Sequence, residues 1–266
     1  MTTIKDMIRQ ANDDGYTDEN AEAKVCQDIV LKALSESSLS RYTTIKGGVV
    51  MRSISRDARR ATLDIDIDFI RHSLSDESIR QFILKLNCLK DIHIRQTGTI
   101  TELKQQDYNG KRVFVEIFDD TGDMIESKID LGVHKNLSIK QEEYCFDIAC
   151  FDDGANLLIN SKEQMFTEKL RSILKFGPNS TRFKDIYDMC YLSDLMDRNM
   201  LMVCLDTIIF SNPGMRENCM QDICQRVENT FASNGYVLRL SNSRKNWLGM
   251  ETTSVLKKLM SFQKSL

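Results

Sequence analysis

The sequence predicts an α+β protein, with strands gathered in the first 155 residues and helices filling the rest. Three observations carry that expectation. Arg60–Phe69 alternates apolar and acidic side chains with the period of a strand. Between Ile92 and Cys150, runs of β-branched and aromatic residues are divided by turn signals such as Asn109-Gly110. From Ser161 onward nearly every segment carries apolar residues at helical spacing.

Composition bounds the function classes. The 266 residues are 41% hydrophobic and 28% charged, with only two prolines and twelve glycines, so the chain is globular rather than disordered or linker-rich. A formal net charge of −3 gives no global basic signature of nucleic-acid binding; RNA contact would need a local basic patch. The eight cysteines contain no CxxC pair, and the five-residue steps Cys145/Cys150 and Cys219/Cys224 match no standard zinc spacing. The opening MTTIKDMIRQ lacks the apolar core of a signal peptide, and no apolar run reaches membrane-spanning length. The expectation is a reduced, cytoplasmic protein with thiols packed in its core and no membrane partner.

In chain order, residues 1–17 predict no regular element, with a turn at Asn12–Gly15. A helix is expected from Asp18 to about Ser38, capped by Thr17 or Asp18, with Ala21, Val25, Ile29 and Ala33 as its stripe. Tyr42–Ile45 reads as a strand, broken by Lys46-Gly47-Gly48 before a helix that opens on Val49. Asp76–Leu89 reads as a helix. Strands follow at 92–94, 99–103, 113–118, 124–133 and 144–150, with turns at Asn109-Gly110, Asp119–Asp123 and Asp152–Gly154. A capping box, Ser161-Lys162-Glu163-Gln164, starts a helix stopped by Gly177-Pro178. Further helices are expected at 181–196, 200–210, 215–231 and 254–263. Two domains result, 1–155 and 156–266.

The acidic strand is the chemically informative stretch. Leu63, Ile65, Ile67 and Phe69 should face one way and Asp64, Asp66 and Asp68 the other, with like charges only ~6.5 Å apart along the chain. Aspartate is a poor strand residue. A divalent cation relieves such repulsion, because hard cations take carboxylate oxygens together with substrate phosphates. The competing expectation is an edge strand with a solvated acidic face. Gly47-Gly48 ahead of a helix would let backbone amides approach a phosphate. Downstream, Asp130 sits on another strand. Lys169 falls in the middle of an otherwise apolar helix face, where it either snorkels outward or meets a carboxylate or phosphate.

Together these features have the layout of a nucleotidyltransferase: a glycine turn, paired strand aspartates and a third strand aspartate. Residues 45–70 and 161–192 resemble the AbiEii/AbiGii nucleotidyltransferase-like toxins of type IV toxin–antitoxin and abortive-infection (phage defence) systems. The resemblance rests on Lys46-Gly47-Gly48, on Arg60-Ala61-Thr62-Leu63-Asp64-Ile65-Asp66, and on Glu168-Lys169-Leu170 followed by Arg182-Phe183-Lys184-Asp185-Ile186-Tyr187-Asp188. Many members carry Thr or Ser directly after the two glycines, where this chain has Val49.

The resemblance implies a nucleotidyltransferase-like mixed sheet with flanking helices, followed by a helical C-terminal domain. It implies transfer of a nucleoside monophosphate from an NTP to an acceptor such as the tRNA 3′ end, with Mg²⁺, or Mn²⁺ in its place. Asp64, Asp66 and Asp130 would be the metal ligands and, with Lys169, the catalytic set. Lys46, Gly47, Gly48, Arg60, Thr62, Arg182 and Asp185 would line the nucleotide site. Arg182, Asp185 and Asp188 would also brace Lys169 and the domain interface. A cognate antitoxin is expected, which in type IV systems need not touch the toxin. Two rival readings stand beside this one: a small-molecule nucleotidyltransferase of the aminoglycoside-modifying kind, and a degenerate fold that only binds nucleotide. An acidic cleft would favour a cationic small acceptor and a basic one tRNA.

Overall fold

The computed structural model describes residues 2–17, 19–103 and 110–266. The chain divides into two compact units, Met1–Asn160 and Ser161–Leu266. The first is built on a seven-stranded mixed sheet: β1 (Thr43–Lys46), β2 (Ile65–Phe69), β3 (Ile92–Leu103), β4 (Gly110–Asp119), β5 (Met124–Val133), β6 (Glu142–Ile148) and β7 (Phe151–Ile159). Their order is β3-β4-β5-β2-β1-β7-β6. β2 runs parallel to β5 and antiparallel to β1, so the acidic strand is interior to the sheet. This removes the solvated-edge alternative.

The acidic strand is shorter than its alternation suggests. Asp57 accepts a hydrogen bond from the Arg59 amide and caps a single 3₁₀ turn, Ala58–Arg60, which buries Arg60. Pairing begins only at Ile65. Leu63 therefore does not join Ile65 and Ile67 in the core but stays 39% exposed. On the apolar face, Ile65, Ile67, Val113, Val115, Ile129 and Leu131 are fully or nearly fully buried.

Helices cover this core. α1 (Ile4–Asp13) was not expected: the Thr3 hydroxyl accepts from the Asp6 amide at 3.1 Å, and Ile4, Met7 and Ala11 form a buried stripe hidden among polar neighbours. α2 (Glu19–Glu36) packs on β5, β6 and β7 and is buried almost all round between Val25 and Leu34. Asp18, one of its two expected caps, lies outside the described residues. Asp28 in α2 is wholly buried and is satisfied by Lys24, by Arg52 Nη2 at 3.3 Å and by the Ala149 amide at 3.0 Å. α3 (Gly47–Ser55) follows β1 without a linker, and α4 (Asp76–Lys85), capped by Ser75, packs on β3.

Other sequence expectations are corrected. The strands expected at 92–94 and 99–103 are one, β3, with its pairing disturbed between Thr97 and Thr101 around Gly98, whose φ is +63°. Asn109 lies outside the described residues. Asp152–Gly154 is not a turn but part of β7; the chain reverses at Ala149-Cys150, where Cys150 takes φ +61°. Strand pairing to β6 overrides the turn chemistry there.

The second unit is helical: α5 (Lys162–Phe176), α6 (Phe183–Leu192), α7 (Arg198–Leu205), α8 (Met220–Phe231), α9 (Asn234–Ser241) and α10 (Thr252–Lys264). Ser161 Oγ accepts from the Gln164 amide at 3.1 Å, but the Gln164 side chain turns to Glu168 at 2.9 Å. Only half of the capping box forms. Gly177, at φ +52°, ends α5. The helix expected at 200–210 is α7 followed by a π turn, Asp206–Phe210; the one expected from residue 215 starts at Met220, and α9 was not anticipated. All eight cysteines are free, but only Cys26, Cys190 and Cys204 are buried, so core packing does not explain the others. Among the described residues no helix is long and apolar enough to cross a membrane.

Candidate active site

Strand register assembles the site. Lys46 on β1 stands opposite Asp66 on β2, Asp66 opposite Asp130 on β5, and Asp130 opposite Arg112 on β4. Four adjacent strands thus carry one transverse row reading cation, acid, acid, cation. Asp68 and Lys128 lie on the same sheet face, two residues along their strands from Asp66 and Asp130.

Each flanking acid has a cation at hand. Arg112 grips Asp130 through two parallel bonds, Nε–Oδ1 at 2.7 Å and Nη2–Oδ2 at 2.8 Å. Lys46 Nζ lies 2.7 Å from Asp68 Oδ1, and Lys128 Nζ lies 2.9 Å from Asp64 Oδ1. These two lysine contacts are electrostatic rather than well directed: Asp64 Oδ1 and Asp68 Oδ1 are both shut from solvent without a properly angled hydrogen bond.

Asp66 occupies the centre. Its residue surface is not wholly lost, yet protein atoms crowd the carboxyl. That burial raises its pKa from 3.8 to about 6, with Lys46 pulling it down and Asp130, Asp64 and Asp68 pushing it up.

The glycines are explained by what they face. Gly47 adopts φ +66°, and a Cβ there would stand 2.6 Å from Asp66 Oδ2. A Cβ on Gly48 would stand 2.4 Å from Thr62 Oγ1. Backbone, rather than side chain, therefore abuts the acids at the start of α3. Thr62 is held in turn by Gln27 Nε2, which donates to its carbonyl at 2.6 Å. Val49 is fully buried, with its side chain in the core.

The donor set is one a hard divalent cation prefers, and the loosely directed lysine contacts leave Asp64 Oδ1 and Asp68 Oδ1 without a well-angled hydrogen bond. In the side-chain positions seen here, however, no three Asp, Glu, His or Cys residues among those described converge on a common point. Arg112 and the lysines hold the acids instead.

In the helical unit, Lys169 does not snorkel. Its Nζ lies 2.8 Å from both Asp185 Oδ1 and Asp188 Oδ2. Asp188 is fully buried and also accepts from Trp247 Nε1 at 3.0 Å. The three-residue step from Asp185 to Asp188 turns both carboxylates toward one lysine. Arg182 is exposed at the start of α6.

A cleft of about 370 Å³, which none of these aspartates lines, is bounded by Leu63, Phe114, Lys128 and three glutamates, Glu19, Glu22 and Glu126. Arg112 and Lys128 carried no role in the sequence motifs. The alternation placed Lys128 on the face of Asp130, but cross-strand partners of Arg112 are a matter of register, which one strand's sequence does not encode.

The family described as nucleotidyl transferase AbiEii toxin, type IV TA system, matches residues 29–211. The chain belongs to the AbiEii toxin family. No curated protein matches it. The matched span of this AbiEii chain takes in Lys46, the glycines, Asp64, Asp66, Asp68, Asp130, Arg112, Lys128 and the Lys169 network, and leaves α8–α10 outside. Its family is one of toxin nucleotidyl transferases, and a toxin–antitoxin system implies an antitoxin as partner.

Proposed function

We propose that this AbiEii chain transfers a nucleoside monophosphate from an NTP to a hydroxyl acceptor, with the tRNA 3′ end as the favoured acceptor. The observation that carries the reading is the Asp66–Asp130 alignment on parallel strands, backed by Gly47. Asp64, Asp66 and Asp130 would hold Mg²⁺ or Mn²⁺; such ions, when bound, supply charge stabilisation at the reacting phosphoryl oxygens.

The chain's own groups do the rest. Gly47 and Gly48 let the α3 amides approach phosphate oxygens. Lys46 offsets part of the acidic charge around Asp66, Arg60 is assigned to the phosphates on the strength of the family motif, and Thr62 packs against Gly48. Asp130, once released by Arg112, takes the proton of the acceptor hydroxyl. The acceptor oxygen forms its bond to the α-phosphorus as the α–β bridge breaks, and pyrophosphate leaves with the bonding pair. On the strength of the family motif, Lys169 is assigned to neutralise the triphosphate, with Asp185 and Arg182 as its companions.

The cleft's three glutamates favour a second acceptor, a cationic small molecule such as an aminosugar. One experiment covers both. Purified protein is incubated with Mg²⁺ and each α-labelled NTP in turn, with total RNA or with aminoglycosides, beside Asp64→Ala. Label on a tRNA-sized band from the parent alone supports the first reading; label on the aminosugar alone supports the second. A folded Asp64→Ala protein that still labels acceptor would sink the metal assignment.

A further inference from the structure

We propose that Arg112 and Lys128 are built-in counter-ions that guard Asp130 and Asp64, and that an incoming triphosphate draws both away and so opens the acids to metal. This rests on the reading of those acids as metal ligands.

Three observations carry it. First, both cations are spent on the acids in the structure, Arg112 through a fork that covers both Asp130 oxygens. A carboxylate held on both oxygens by a guanidinium has one lone pair of each oxygen taken, and a cation placed on the remaining ones would face Arg112 as a like charge. Second, these two cations keep surface, with side chains 28% and 35% exposed, while Lys46 keeps 10%. They have room to swing; Lys46 does not. Third, Arg112 ends the acid row on β4 and Lys128 lies two residues along β5 from Asp130, so turning outward moves each from a carboxylate toward solvent without opening the core.

The chemistry of exchange is balanced. A guanidinium binds phosphate in the same bidentate manner as carboxylate, so the triphosphate and Asp130 compete for one fork. Metal and Arg112 compete for one carboxylate. Triphosphate and metal therefore assist each other, and by linkage the assistance is mutual. Without nucleotide the acids remain paired, and the protein avoids three uncompensated carboxylates on one sheet face.

The test separates the two competitions. Mn²⁺ binding to nucleotide-free protein is followed through the electron-paramagnetic signal of the free ion. Inorganic tripolyphosphate binding is measured by calorimetry in EDTA, where no metal contributes. Relative to the parent, Arg112→Gln should bind Mn²⁺ about tenfold tighter and tripolyphosphate about tenfold more weakly. Lys128→Gln should change both in the same directions and stands in should Arg112→Gln fail to fold. Opposite signs from one substitution are not what a merely structural residue produces. Mn²⁺ binding that is unchanged or weakened in both variants overturns the inference while leaving the metal ligands intact. Absence of Mn²⁺ binding from parent and variants alike overturns the metal reading itself, and the inference with it.

Discussion

Gly47 is pressed against Asp66: a methyl group added to it would stand 2.6 Å from Asp66 Oδ2, at a φ of +66°. Substitution would thus strain the backbone and displace the central acid at once. Gly47→Ala should cost roughly 1–3 kcal/mol of stability and at least tenfold in transferase activity. Gly122 has φ +92° with nothing within 4 Å of its missing Cβ. Gly122→Ala should therefore share the backbone cost, show no loss of activity, and separate the two effects in parallel melts and assays.

Asp66 links activity to instability. Its folded-state pKa is raised from 3.8 to about 6, so the fold binds its proton more tightly than the unfolded chain does. The stability this contributes is fully present below pH 3.8 and is lost as pH rises through 6. Asp66→Asn should match the parent at low pH and exceed it by about 1–2 kcal/mol at pH 8, after allowance for residual solvent screening. The same variant should lose Mn²⁺ binding and transfer. Urea melts at three pH values check the sign; a variant no more stable than the parent at pH 8 would contradict it.

Lys169 and Asp188 form a buried pair that the sole tryptophan reports on, since Trp247 Nε1 donates to the same carboxylate at 3.0 Å. Lys169→Met removes the cation that faces Asp185 and the fully buried Asp188 and should destabilise the protein by about 3–5 kcal/mol. Asp188→Asn should cost less and shift the Trp247 emission. Because the residues share one network, the double variant should cost less than the sum of the single ones. Additivity in denaturant melts would mean the charges act independently.

Much of the candidate site is legible in the sequence. The alternation of Asp64, Asp66 and Asp68, the Gly47-Gly48 break and the Lys169/Asp185/Asp188 spacing are local patterns, and local patterns survive in a linear text. Strand and helix boundaries were less legible where tertiary pairing won. Asp152–Gly154 has the chemistry of a turn but is drawn into β7 by pairing with β6. The α1 stripe of Ile4, Met7 and Ala11 is too sparse to stand out until α2 buries it.

The sequence by itself determined the class of fold, the family and the acids, because each depends on residue types at short, regular spacing. Only the tertiary structure decided what those acids touch. Register across four strands set Lys46, Asp66, Asp130 and Arg112 in one row, and register depends on hydrogen bonding between segments remote in the chain. The same holds for Val49, whose neighbours in the sequence suggest a phosphate turn but whose side chain lies in the core. A carboxylate's partner is fixed by distance in space, and distance in space is what a linear sequence leaves out.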